Sequence, residues 1–294
     1  MSVHNIRTKV IVIKRNAHKY PVSVLCKILG ISRSSYYYEP KAPKDESVVT
    51  KAIQAAYEEN RCLYGSRKIK RVLAVKGIVV SRRKICRIMK QLGLESAYTR
   101  KKYKKHSKEI NQAITPNILD RQFDNQEHLA TIVSDITYVR VGQRWGYVCI
   151  LLDLHNREII GYSSGNHRDA KLVHRAFSSA KVNLSKIQLF HTDRGSEFDN
   201  TLIDELLDTF NIQRSLSLKG CPYDNAVAEA TFKLIKSEFI NRRIFETQEQ
   251  LALELADYVN WFNNIRLHGS LGYVSPVEYR EGKDENKTLS FLCE

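Results

Sequence analysis

Long apolar runs are missing from this 294-residue chain. No stretch approaches the ~20 residues that a bilayer-spanning helix needs. Met1 to Lys14 lacks the apolar core and small-residue cleavage site of a secretory signal. The expectation is therefore a protein of the cytosol with no membrane association. Paired cysteines are missing as well. Cys26, Cys62, Cys86, Cys149, Cys221 and Cys293 form no C-x-x-C pair, and none stands at zinc-ligand spacing from a histidine. They read as scattered, mostly buried thiols, because a disulfide framework does not suit a chain of this length without a secretion signal. Internal repeats and low-complexity segments are also absent.

What the chain does have is unevenly placed positive charge. The net charge is +15, with 43% hydrophobic and 27% charged residues. Up to Ala130 there are 28 Lys and Arg against 10 Asp and Glu, and beyond it 19 against 22. All the excess lies in the first part. A basic part joined to a nearly neutral one suggests a polyanion-binding segment plus a segment with other work. Charge alone leaves open a solvated basic surface without a partner.

The pattern along the chain sharpens that division. VSVLCKILGISRSSYYY, from Val22 to Tyr38, offers an apolar helix face of Val22, Leu25, Cys26 and Leu29, then Gly30 as a break and Ser32 as a cap. It reads as a helix-turn-helix or an ordinary helical hairpin. Pro40 and Pro43 mark a break, and residues 46–95 read as helical. Ile69, Val72 and Leu73 form one stripe, and Ile85, Ile88, Met89 and Leu92 another. The second helix carries Arg82, Arg83, Lys84, Arg87 and Lys90 with no acid between them, a surface suited to phosphates or a major groove. Arg100 to Lys108, RKKYKKHSK, reads as a basic linker. From Thr131 the texture changes. TIVSDITYVRV, WGYVCILLDLH and REIIGYSSG read as three strands joined by short loops, hence an antiparallel meander. A helix follows from Asp169 to about Val182, then IQLFHT as a fourth strand. Asn200 to Phe210 reads as a helix and IQRSLS as a fifth strand. A long helix capped by Asp224 runs past Phe239. Three antiparallel strands followed by alternating helices and strands is the order of a ribonuclease H-like α/β fold, a mixed sheet with flanking helices, here preceded by small all-α modules. Residues 247–267 read as a last helix, and the tail after Pro276 is weakly patterned. The expected division is 1–45, an N-terminal helix-turn-helix segment; 46–100, a helical DNA-binding module; 101–128, a basic and polar linker; 129–245, the catalytic core; and 246–294, a C-terminal helix and tail.

Three carboxylates stand where chemistry is placed in such a sheet. Asp135 lies within the first strand among Ile132, Val133 and Ile136, where a lone buried charge is costly unless it binds a cation. Asp193 lies just past the carboxyl end of the fourth strand, the usual ligand position in open α/β sheets, and Gly195 lets the chain turn there. Glu229 lies a turn into the long helix among Ala226, Ala228 and Ala230, whose small side chains let the helix approach the sheet. Three acidic ligands without His or Cys favour a hard ion, Mg²⁺ or Mn²⁺. Two such ions roughly 3.5–4 Å apart can activate a water or 3′-hydroxyl and stabilise the leaving oxygen of a phosphodiester. Spacing alone leaves open three ordinary acids.

The local contexts carry a resemblance. SDITYV, HTDRGSEF and GCPYDNAVAEATFKLIKSE are similar to the catalytic boxes of the OrfB transposases of the insertion-sequence-three family, which share a DDE signature with retroviral integrases. NNIRLHGSLGYVSPVEY, at 263–279, and LYGSRKIKRVLAVKGIVVSRRKICRIMKQLGL, at 63–94, resemble that family's C-terminal and upstream boxes. The resemblance spans roughly residues 20–280. It implies a DNA transposase that cleaves transposon ends and joins the freed 3′-hydroxyl to a phosphodiester. It implies Asp135, Asp193 and Glu229 as metal ligands, and Lys236 as a contact to transposon-end DNA. Asp224 and Asn225 would shape the helix start and touch DNA, with N-capping the simpler role for Asp224. It further implies DNA ends and target DNA as partners, a homo-oligomer, association or fusion with an upstream OrfA product, and a home in the bacterial cytoplasm and nucleoid. Asp153 and His191 read as structural. Arg266 and His268 read equally as DNA contacts or helix-end packing. Ile132 stands where Trp is common, Glu197 where Gln is frequent, and Cys221 where Asn is frequent; none removes a catalytic group. Two rivals remain, a repressor derived from a transposase and a nuclease of the same fold that cleaves without joining.

Overall fold

The computed structural model describes residues 3–38, 46–97, 117–119, 127–217 and 225–282. The basic run 100–108, Cys221, Asp224 and Cys293 lie outside the described residues. The chain divides into two compact units, Met1–Val48 and Val49–Glu294.

The first unit holds three helices, α1 (Val3–Asn16), α2 (Val22–Leu29) and α3 (Arg33–Tyr37). Gly30 ends α2 at φ 61°, a left-handed conformation that glycine adopts without a Cβ penalty. Ser32 then caps α3 by accepting from the Ser35 N–H at 3.1 Å. That is the expected helix, Gly turn and short helix. Helix α1 was not expected.

The second unit opens with α4 (Ser47–Glu59), α5 (Ser66–Val75) and α6 (Arg82–Gln91). Ser81 caps α6 through the Lys84 N–H, a contact worth about 1 kcal/mol. Ile85, Ile88 and Met89 are its buried stripe, each contributing roughly 1.5–3 kcal/mol by leaving water. Arg82, Arg83, Arg87 and Lys90 are exposed, and Lys84 is partly buried. The stripe thus sets which way the cations point.

The remainder is a five-stranded sheet in the order β3-β2-β1-β4-β5, formed by β1 (Thr131–Val141), β2 (Arg144–Asp153), β3 (Ile159–Gly165), β4 (Leu189–Thr192) and β5 (Gln213–Leu216). The first three strands are antiparallel neighbours, and β4 and β5 add in parallel. This is the ribonuclease H-like order that the meander and the later alternation imply. Helices α7 (Ala170–Ser178) and α8 (Thr201–Thr209) precede β4 and β5; α9 (Ala226–Glu238), α10 (Gln248–Asn264) and α11 (Pro276–Arg280) follow the sheet. Period-2 alternation along β2 splits the core. Val148, Ile150 and Leu152 pack with α9 and α10, while Cys149 and Leu151 pack with α7 and α8.

Helices α4 to α6 share the first of these cores with α10. Arg61 pairs with Asp257 at 2.8 Å and lies 5.1 Å from the Trp261 ring, and the Leu267 N–H donates to the Tyr64 hydroxyl at 2.8 Å. Asn263 of α10 clips the sheet edge, donating to the Ile159 carbonyl and accepting its N–H, each at 2.9 Å. That occupies backbone groups an exposed edge would leave free. Helix α11 falls where the tail reads as weakly patterned. It is fixed by a capping box in which Ser275 and Glu278 satisfy each other's backbone N–H.

Candidate active site

The site begins with a mismatch of strand lengths. β1 pairs with β4 only over Thr131–Val133, in the register Val133 to His191. Beyond that point β1 runs on while β4 stops at Thr192. Continuing the register two residues sets Asp135 level with Asp193, on neighbours whose ordinary spacing is about 4.8 Å. Helix α9 enters the notch from the freed edge. The Asn225 side chain, just ahead of α9, donates to the Ser134 carbonyl at 3.3 Å and occupies a backbone acceptor that β4 leaves open. Glu229 sits in the first turn of α9, and Ala228 beside it is buried against the sheet.

The electrostatics follow from that convergence. Burial pushes the Asp135 carboxyl up from 3.8 to about 7. The Ile136 N–H, 2.7 Å away, pulls it back, as does the charge of Arg168, while the charges of Asp193 and Glu229 push it further up. Asp193 Oδ1 accepts the Gly195 N–H at 3.0 Å, which orients the carboxylate at the strand end. Gly195 is needed for close approach, since a Cβ there would run into the Glu197 carboxylate. Among the described residues no three His, Cys, Asp or Glu side chains are already gathered tightly enough to cage an ion. The donor set nevertheless suits one. The Asp135 carboxyl feels two further negative charges, from Asp193 and Glu229, and a hard divalent cation would supply the positive charge that balances three oxygen ligands.

The other candidates sort by their contacts. Lys236 lies two turns along α9 from Glu229, its Nζ 4.9 Å from the Tyr138 ring. Glu197 is 6% exposed and is held by Arg168, whose Nε donates to it at 2.7 Å, so its charge is already matched. Sequence reasoning missed Arg168, because the pairing joins residues 29 apart on different loops. His191 bridges β4 to β5, with Nδ1 2.8 Å from the Ser215 hydroxyl. Asp153 accepts the Leu129 and His155 N–H groups and lies 2.7 Å from His128 Nδ1, which makes it a loop anchor. Arg266 forms a two-pronged pair with Glu238, both bonds 2.7 Å, and His268 is 5% exposed. Of the two roles open to them, packing is the one the contacts support.

Comparison with known proteins agrees with the fold and the boxes. Integrase core domain models match residues 125–222 and 229–283, and an HTH-like domain model matches residues 43–102. The putative transposase InsK for insertion sequence element IS150 of Escherichia coli (strain K12) is 31% identical over 266 residues, covering 89% of this chain and 94% of that protein. The transposase for insertion sequence element IS904 of Lactococcus lactis subsp. lactis (strain IL1403) is 29% identical over 244 residues, covering 82% and 96%. Among solved structures, the HTLV-2 integrase catalytic core domain in complex with magnesium matches at a TM-score of 0.40 and 13% identity, over 52% of this chain and 96% of that one. An HTH-like domain ahead of an integrase core, together with a relative at this identity over nearly its whole length, means that the chain belongs to the insertion-sequence-three family of transposases.

Proposed function

We propose that this chain is the DDE strand transferase of an insertion sequence, with Asp135, Asp193 and Glu229 as its catalytic carboxylates. The observation that supports the reading is the charge of Asp193 and Glu229 acting on Asp135 where β4 stops short of β1. Held there, they would bind Mg²⁺ or Mn²⁺, two ions in all, which when bound supply Lewis-acid stabilisation of the attacking and leaving oxygens. The chain's own part is to fix the ligands. The Ile136 N–H orients Asp135, the Gly195 N–H orients Asp193, and the Asn225–Ser134 bond docks the helix that carries Glu229. The reaction exchanges one phosphodiester for another, with the 3′-hydroxyl oxygen displacing the target 3′-oxygen at phosphorus.

The division of labour is equally a proposal. Arg82, Arg83, Lys84, Arg87 and Lys90 on α6, together with Lys236 and Asn225, would hold DNA for the core. Replacing Arg82 and Arg87 by Gln should lower the slope of log binding constant against log salt by about 2 on duplex DNA. The chain would act on transposon ends and target DNA in the bacterial cytoplasm, as a homo-oligomer and in association with an upstream OrfA product.

The test is a strand-transfer assay with end DNA and Mg²⁺ or Mn²⁺, with and without the OrfA product. Joined product should form, and Asp193→Asn should lower it by roughly a thousandfold or more, several kcal/mol of barrier. Cleavage without joining would instead favour a nuclease. Tight binding with no cleavage under any metal condition would favour a repressor.

A further inference from the structure

Beyond the carboxylates, the hairpin of β1 and β2 extends outward with an aromatic surface of its own. The register sets Tyr138 opposite Tyr147 and Arg140 opposite Trp145, so these four residues share one face near the hairpin end. Tyr138 is 58% exposed and Trp145 51%, whereas Trp261 is 3% exposed and Tyr258 1%. Among the described residues of the larger unit, Tyr138 and Trp145 are the two exposed aromatic side chains. Their rings meet edge to face, centroids 5.2 Å apart at 89°. With more than half of each residue exposed, the pair still presents aromatic surface to solvent, where a flat partner can lie. Cations flank the pair. The Arg140 guanidinium is 5.4 Å from the Trp145 ring, Lys236 Nζ is 4.9 Å from the Tyr138 ring, and Arg144 is exposed at the turn. Among the described residues no carboxylate pairs with any of the three.

We infer that this hairpin end is a stacking platform for an unpaired DNA base, Tyr138 and Trp145 taking the base and Arg140, Arg144 and Lys236 its flanking phosphates. Rings interleaved with unpaired cations are the composition that grips single strands, because every base has a face to stack and every nucleotide a phosphate to neutralise. Position supports it too. Tyr138 lies three residues along β1 from Asp135, ~10 Å at the rise of a strand and on the opposite face of the sheet, but the β1 edge between them is open because β4 stops at Thr192, and Lys236 of the helix that carries Glu229 reaches the Tyr138 ring. A DNA strand with its reacting phosphate at the carboxylates would pass over that open edge to bring a neighbouring base to the platform. That placement rests on the transposase reading above; the stacking surface itself does not.

The chain has two tryptophans, and Trp261 is buried, so Trp145 reports on its own surroundings. Oligothymidine should quench the intrinsic fluorescence in a saturable way, and Trp145→Leu should abolish the quench. Tyr138→Ala and Trp145→Leu should each weaken oligothymidine binding roughly tenfold to a hundredfold while leaving its salt slope unchanged. Arg140→Gln should reduce that slope by about 0.7. Tyr138→Phe should retain wild-type affinity, which separates ring loss from misfolding. Unchanged affinity in both Tyr138→Ala and Trp145→Leu overturns the inference. So does a change in sedimentation of the free protein without a change in binding, which would make the face a contact between copies. Loss of strand transfer in the unaltered chain with stacking intact would sink the transposase reading alone.

Discussion

At the end of α9, Glu238 and Arg266 are 2% and 3% exposed, and each carboxylate oxygen receives a guanidinium N–H. At the start of the same helix, Glu229 joins Asp135 and Asp193 in a group of like charge. Both places put charge out of water, where it is costly unless matched. The first is matched within the chain and locks α9 to the segment that follows α10. The second lacks a matching cation within the triad, a deficit that on the reading proposed above would equip it to hold a metal. One helix thus carries a structural charge site and the proposed functional one, told apart by whether the chain completes the charge balance.

Breaking the matched site should have the largest effect on stability. Arg266→Met leaves Glu238 buried without its partner and should cost about 3–5 kcal/mol. Tyr258, whose hydroxyl donates to Glu238 at 3.2 Å, cannot replace a two-pronged guanidinium. Pairing the change with Glu238→Gln should recover part of the loss, since no full charge then stays buried. Urea denaturation at neutral pH measures both, and a single-variant loss below about 1 kcal/mol would place the pair among weak surface contacts.

Breaking the unmatched site should do the opposite. With divalent cation removed, Asp135→Asn should stabilise the protein at pH 8 by roughly 2 kcal/mol. The sign follows from the raised carboxyl. Its folded-state value is about 7 against an ordinary 3.8, so the unfolded chain gives up its proton first. Stability is fully present below about 4 and falls as pH rises to about 7. The gain from Asp135→Asn should therefore fade as the pH is lowered to 4. Thermal melts at the two pH values test this, and an equal shift at both would mean the charge is not the cause.

The comparison also explains what the sequence made readable. The three acids proposed for the site could be singled out because each sits in a short local context: a strand among Ile132, Val133 and Ile136, a strand end at Gly195, and a helix turn among alanines. The meander and the α6 stripe were equally local. Charge balance is not local. Glu238 meets Arg266 across 28 residues, and Glu197 meets Arg168 across 29, pairings that only the fold reveals. Trp145 and Trp261 are the same letter with opposite burial. Two misses did carry a signal. The S-x-x-E of Ser275 and Glu278 marked the capping box of α11, and Ile6, Val10 and Ile13 already ran at helical spacing in α1 despite their β-branched neighbours.

The smallest effect should come from a cation beside the matched pair. Lys68 Nζ lies 4.7 Å from the Tyr64 ring. Burial lowers its ammonium from 10.5 to about 7, the charge of Arg266 lowers it further, and Glu238 opposes both. One carboxylate shared with Arg266 is not enough to hold two cations. Because the unfolded chain keeps its proton up to about 10.5, this group should make stability rise with pH from about 7 upward. Lys68→Met should raise stability at pH 7 by roughly 1 kcal/mol, and the gain should shrink at pH 9.5, where Lys68 is neutral in the folded wild type. Urea midpoints at the two pH values read the difference directly. A gain that persists undiminished at pH 9.5 would assign it to packing of the methionine, and a loss at pH 7 would mean that Glu238 has charge to spare for both neighbours.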